Sequence, residues 1–109
     1  MRKGITDIKP ILEEVGEKLE ELYGEKLRGI ILYGSYARGE AKEDSDIDLI
    51  ILLEDMEDVY KEWERYFPII YEIAFRNDVV ISIVPLKERD YYSKNYPFIL
   101  NAKKEGIKI

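Results

Sequence analysis

The chain contains neither cysteine nor histidine, and these two absences exclude more chemistry than any average composition could. Without cysteine there is no disulfide, no thiolate metal site and no thiol nucleophile. Without histidine there is no Ser-His triad and no zinc site of the usual His or Cys type. Long apolar runs are also missing. The longest, Ile47 to Leu53, is broken by Asp48 and falls far short of the roughly 20 residues that span a bilayer. The N-terminal stretch from Met1 to Asp7 lacks the apolar core of a signal peptide. A cytoplasmic protein without membrane contact is therefore expected. Basic charge is scarce too: 17 Lys and Arg against 23 Asp and Glu leave a formal charge of -6. That is the wrong sign for affinity built on neutralising many phosphates, so no extended nucleic-acid footprint is expected.

The hydrophobic fraction of 46% beside 37% charged residues, with four prolines and seven glycines, describes a packed core under a charged surface. At 109 residues the chain suits one domain over residues 1–109. Its chemistry must run on carboxylates, hydroxyls, lysine, arginine or backbone, and carboxylate oxygens favour hard cations such as Mg²⁺ or Mn²⁺.

Ile8, Ile11, Leu12, Val15, Leu19 and Leu22 fall on one helical face, which predicts a helix with Thr6 as its N-cap, Pro10 in its first turn and Gly24 as its stop. Leu27 to Tyr33 reads as a strand running into Gly34. In 46–53, strand alternation puts Ile47, Leu49, Ile51 and Leu53 on one face and Asp46, Asp48, Ile50 and Leu52 on the other. This is the pattern of a central strand with two carboxylates at its start. Acidic residues 54–58 read as a solvated helix start. Helical spacing then runs through Val59, Tyr60, Trp63, Tyr66 and Phe67, is interrupted by Pro68, and resumes to Ala74; those aromatics are expected in the core. Residues 79–84 read as a third strand, 86–95 and 97–105 as short helices that Tyr91, Tyr92 and Tyr96 are expected to pack, and 107–109 as a last extended piece.

Strands alternating with helices indicate an α/β (α+β) layer fold. If strands 27–33 and 46–53 ran parallel, the twelve residues between them would barely allow a crossover. If they run antiparallel, Ser35, Asp46 and Asp48 meet at one sheet edge. A small mixed sheet with these two strands antiparallel, flanked by helices, is therefore expected.

Gly34-Ser35-Tyr36-Ala37-Arg38-Gly39 leaves a strand and can open a helix, so its backbone N–H groups and the Ser35 hydroxyl can hold phosphate oxygens, with Arg38 placed either to clamp one or to face solvent. It is not a Walker A loop, because Glu40-Ala41 stand where Lys and Ser/Thr are required. Nor is Asp44-Ser45-Asp46-Ile47-Asp48 an EF-hand loop, because its sixth position is Leu49. Asp46 and Asp48, at i and i+2, lie roughly 7 Å apart at Cα along a strand. Carboxylates so close repel unless a cation sits beside them, and a hard divalent ion carrying phosphate fits.

Gly34-Ser35, Gly39 and Ser45-Asp46-Ile47-Asp48-Leu49 resemble the GSxxxG(x5)SDxDL signature of minimal nucleotidyltransferase domains in the DNA polymerase β-like superfamily, tightly over residues 27–53. The resemblance implies that Gly34, Ser35, Arg38, Gly39 and Ser45 bind the nucleotide. It also implies that Asp46 and Asp48 hold Mg²⁺ (or Mn²⁺) as the catalytic pair, and that a nucleoside monophosphate moves from an NTP, ATP first, to an acceptor. Small domains of this kind also resemble antitoxins that bind or nucleotidylate a helical HEPN-type toxin partner. The superfamily usually adds a third carboxylate from a later strand. Here Ser82 is the polar residue at about that place, read on its own as a buried hydroxyl bonded to backbone, while Asp78, Glu88 and Asp90 lie outside the strand.

Overall fold

The computed structural model describes residues 3–109; Met1 and Arg2 of the N-terminal stretch lie outside the described residues. Helix α1 (Ile5–Tyr23) leads through a 3-10 turn into strand β1 (Leu27–Tyr33). A four-residue helix α2 (Ser35–Arg38) precedes β2 (Ile47–Leu53), and α3 (Val59–Arg76) carries the chain to β3 (Ile81–Lys87). Helices α4 (Glu88–Ser93) and α5 (Pro97–Glu105) return it to β4 (Ile107–Lys108). The sheet order is β3-β2-β1-β4. β1 is antiparallel to both β2 and β4, and β2 and β3 are parallel, which is the expected mixed sheet.

β2 is the spine. Ile47, Leu49, Ile51 and Leu53 face a core built with α1 and α3, and Ile50 and Leu52 face a second cluster with Tyr91, Ile99 and Ala102. All six are at most 1% exposed, and burying each such side chain fully is worth about 1.5–3 kcal/mol. The alternation read from the sequence therefore separates the two layers.

Several boundaries move for local reasons. The first helix starts at Ile5 with Gly4 as N-cap, where Asp7 accepts the Gly4 N–H at 2.7 Å, so Thr6 is not the cap. Pro68 does not interrupt α3, which runs unbroken to Arg76, and Asp58 caps it by accepting the Lys61 N–H at 2.8 Å. The third strand extends to Lys87 instead of ending at Val84; Pro85, which has no N–H to give, is tolerated because β3 is an edge strand. Among the described residues no helix is long and apolar enough to cross a membrane.

The aromatics of α3 divide differently from expectation. Tyr66 is buried, but Tyr60, Trp63 and Phe67 are 66, 40 and 39% exposed. The helix turns Glu62, Tyr66, Ile70, Ile73 and Ala74 inward, and residues 60, 63 and 67 lie on a neighbouring stripe of the same helix. Among the terminal tyrosines Tyr91 packs, whereas Tyr92 and Tyr96 are exposed.

Glu62 is the buried charged residue of the core, 6% exposed. The Tyr23 hydroxyl donates to its Oε2 at 2.8 Å, and the Arg65 guanidinium lies 5.1 Å from the Tyr23 ring centroid and 3.7 Å from the same carboxylate. Burial and this acceptor push the Tyr23 phenol above its ordinary value. Removing the donor alone strands a buried carboxylate, whereas replacing both groups by apolar ones removes the need for either. Tyr23→Phe is expected to lower stability by about 1–3 kcal/mol, and Tyr23→Phe combined with Glu62→Leu to lose less than the sum of the singles. Urea unfolding midpoints measure both.

Candidate active site

The register of β1 on β2 sets Tyr33 opposite Asp48, so the turn that leaves β1 meets the start of β2. Gly34 has φ +76° and ψ −157°, a region essentially restricted to glycine. A Cβ there would strike the Asp48 carboxylate, with its Cγ only 3.1 Å away. Both facts demand glycine, and they bring the Gly-Ser turn and the second aspartate into contact. Tyr36, 3% exposed, plugs α2 into the core beneath α1. Gly39 closes the turn in the left-handed region at φ +73°.

Asp48 is half-buried and Asp46 exposed just before the strand. Burial and, after it, the neighbouring Asp46 charge raise the Asp48 carboxyl above the ordinary range, while Arg38 pulls the other way. The two aspartates thus stand with Gly34, Ser35, Arg38 and Ser45 around a cleft of about 590 Å³. Tyr33 and Phe98, in edge-to-face contact at 5.3 Å between centroids, form part of its wall. Ser45 serves the loop as well: its hydroxyl accepts the Lys42 N–H at 2.8 Å. Among the described residues no group of three or more Asp, Glu, His or Cys side chains converges as a metal cluster. The cleft is bordered by the carboxylates of Asp44, Asp46, Asp48 and Glu105, and carboxylate oxygens are the kind of donor that suits a hard divalent cation.

Ser82 is the register partner of Asp48 on the parallel strand β3, on the same sheet face as Val84 and Leu86. It is half-buried rather than buried, and at the place beside Asp48 where another acid would complete a triad it brings only a hydroxyl. Asp78 precedes β3 and Glu88 and Asp90 follow it in α4, so none shares that position.

One site residue escapes the sequence reading altogether. Glu105, at the end of α5, accepts the Gly34 N–H at 3.3 Å, and its two oxygens take the Arg38 Nη1 at 3.2 and 3.3 Å. Arg38 also donates through Nε to Glu40 at 2.7 Å. Arg38 is thus an exposed side chain, as one of the two readings expected, and its guanidinium is held at the cleft by these two carboxylates. The only signal that could have found Glu105 is the pairing of 107–108 with Leu32 and Ile31, which carries residue 105 back to residue 34, and nothing in the sequence announces that register.

Residues 12–107 match the family model described as a nucleotidyltransferase domain. The chain is 37% identical over 80 residues to the protein adenylyltransferase MntA of Thermococcus cleftensis, covering 72% of this chain and 77% of that one. A crystal structure of a toxin–antitoxin with AMP-PNP superposes with a TM-score of 0.62 at 26% identity, covering 88% of this chain and 70% of that chain. The tri-AMPylated Shewanella oneidensis HEPN toxin in complex with MNT antitoxin shares the fold at a TM-score of 0.52 and 23% identity, over 88% of this chain and 69% of that chain.

The two glycines of the turn separate conformation from crowding. Gly39 has open space where a Cβ would go, so Gly39→Ala is expected to cost about 1 kcal/mol through its left-handed backbone alone. Gly34→Ala adds the collision with Asp48 and is expected to cost clearly more, about 2–4 kcal/mol. Thermal and urea unfolding of the two single variants compare them directly.

Proposed function

The chain belongs to the nucleotidyltransferase domain family, and from that premise we propose that it transfers an adenylyl group from Mg²⁺-bound ATP (Mn²⁺ substituting) to a hydroxyl of a protein partner. The observation that carries the reading is the close approach of Gly34 to Asp48, which sets the Gly-Ser turn beside a pair of oxygen donors. The name of the Thermococcus relative, a protein adenylyltransferase, supports a protein as the acceptor. A HEPN-type helical partner, as in the structural neighbour that is a HEPN toxin complex, is the corresponding proposal here, in which this chain acts as the antitoxin half. No nucleic-acid footprint enters this reading, and a cytoplasmic location agrees with it.

The residues divide the work. Asp46 and Asp48 would hold the divalent ion, which when bound draws charge from the triphosphate and stabilises the oxygens attacking and leaving at the α-phosphorus. The Gly34 and Ser35 backbone and the Ser35 hydroxyl fix phosphate oxygens. Tyr33 and Phe98 narrow one side of the cleft, and Ser45 shapes the loop that carries Asp46. In the step itself a bond forms between the acceptor hydroxyl oxygen and the α-phosphorus, the bond from that phosphorus to pyrophosphate breaks, and the hydroxyl proton leaves to water at the open mouth of the cleft. With Ser82 in place of an acid beside Asp48, the chain relies on orientation rather than on a strong protein base.

Glu105 bears on the same step. Its carboxylate occupies the Gly34 N–H and Arg38 that a triphosphate would use, so nucleotide binding must displace it.

Two results follow. Replacing both acids, Asp46→Asn with Asp48→Asn, is expected to abolish Mg²⁺-dependent ATP binding in calorimetry. The same variant should melt at or above the wild-type temperature, because burial and mutual repulsion already disfavour the charged Asp48. Retained binding would sink the assignment of the pair. Glu105→Gln keeps the side-chain shape but removes a negative charge, and is expected to tighten ATP binding about three- to tenfold. Weaker binding would instead make Glu105 the group that positions Arg38.

A further inference from the structure

Helix α3 carries a second feature that the site does not use. Tyr60, Trp63, Phe67, Tyr71 and Phe75 form one continuous exposed ladder, with neighbouring ring centroids 4.5 to 6.2 Å apart and planes within about 32° of one another. Five large aromatics in one row, between 39 and 76% exposed, are not the scattered apolar residues of an ordinary surface. From Tyr60 to Phe75 the row is about 22 Å long at 1.5 Å per residue.

The inner side of the ladder meets the open edge of β3 and forms a groove of about 840 Å³. Its charged lining is entirely acidic, Glu43, Asp44 and Asp78, and among the described residues none of the three forms an ion pair. The cations of α3 are turned elsewhere: Arg76 to Glu14 and Glu72, Arg65 to Glu62, Lys61 to Glu57. At one end the groove shares Asp44 and Ser45 with the cleft of Asp46 and Asp48, so whatever lies along the ladder ends beside the nucleotide.

We propose that this groove docks an amphipathic helix of a protein partner, its apolar face on the aromatic ladder and its flanking Lys or Arg residues on Glu43, Asp44 and Asp78. The proposal rests on the reading above that the acceptor is a protein, and it identifies the surface that holds that protein next to the site. A helix offering apolar side chains at i, i+4 and i+7 matches the spacing of the row. Charge complementarity selects a basic partner over a second copy of this chain, since a copy brings a formal charge of -6 and the same acidic rim.

Trp63 is the only tryptophan of the chain and stands in the groove wall, so its emission reports occupancy directly. The probe is a synthetic helical peptide of about five turns with leucines on one face and lysines along its flanks, titrated into the full chain; a peptide with the same apolar face and glutamates on its flanks is the control. A saturable blue shift is expected with the Lys-flanked peptide, at an affinity at least about tenfold above the Glu-flanked one. Phe67→Ser with Tyr71→Ser, which keeps Trp63 and changes only exposed side chains, is expected to weaken it about tenfold or more while melting and Mg²⁺-ATP binding stay unchanged.

Equal response to the two peptides, no response, or an unchanged response in the Phe67 and Tyr71 variant overturns the proposal. So does a blue shift that grows with protein concentration in the absence of peptide, with a doubled mass by light scattering, because the occupant is then a second copy. ATP binding is read in a separate titration without peptide. Its loss with an intact peptide response supports the groove and counts against the transferase reading alone.

Discussion

Gly34 and Asp48 lie against one another because the antiparallel register of β1 on β2 sets Tyr33 opposite Asp48, and the rest of the site is arranged around that pairing. The turn leaves no room for a side chain at Gly34, so the backbone itself approaches the carboxylate. Tyr36 then anchors the short helix α2 in the core, and β4 returns the end of α5 to the same turn. A shift of one residue between β1 and β2 would send Asp48 to the opposite face of the sheet. The four apolar residues of β2 that pack into the core with α1 and α3, Ile47, Leu49, Ile51 and Leu53, hold the register against that slip.

Electrostatics separates the acidic groups by task. Glu62 is buried but satisfied by Tyr23 and Arg65, and Glu14 and Glu72 are spent on Arg76, joining α1 to α3. Asp48 lacks such a partner and carries a raised carboxyl pKa through burial and the Asp46 charge. Asp48 thus differs from the paired acids of the core and the helix surface, and a carboxylate disfavoured in this way is one that a nearby cation would stabilise, as the proposed function requires. Glu105 belongs between the two groups: it is paired with Arg38, and it also accepts the Gly34 N–H, the group to which the proposed function assigns a phosphate.

Helix α3 does two jobs with one sequence. Its inward stripe seals the core against α1 and the sheet, and its aromatic stripe, rotated around the helix from it, stays in solvent. Helical periodicity marks both stripes equally well, because spacing of three and four residues identifies neighbours on a helix surface without saying which surface is covered. For this reason Tyr66 lies in the core as expected, whereas Tyr60, Trp63 and Phe67 do not.

Local patterning by itself determined the elements and the main chemistry of this protein. The alternation in Ile47–Leu53 marked a two-sided central strand with acids at one end, the short link from Tyr33 to Asp46 made the antiparallel hairpin nearly unavoidable, and the lack of cysteine and histidine confined any cation binding to oxygen donors. The joint spacing of Gly34-Ser35, Gly39 and Ser45-Asp46-Ile47-Asp48 then carried the family resemblance. Tertiary structure alone decided that Glu105 accepts the Gly34 N–H and that Trp63 and Phe67 face solvent, and it fixed the register that sets Ser82, expected at about that place, directly beside Asp48. Each of those depends on a register or a helix rotation between segments distant in the chain. Such choices are fixed by which apolar faces bury together over the whole fold, and no short window of sequence contains them.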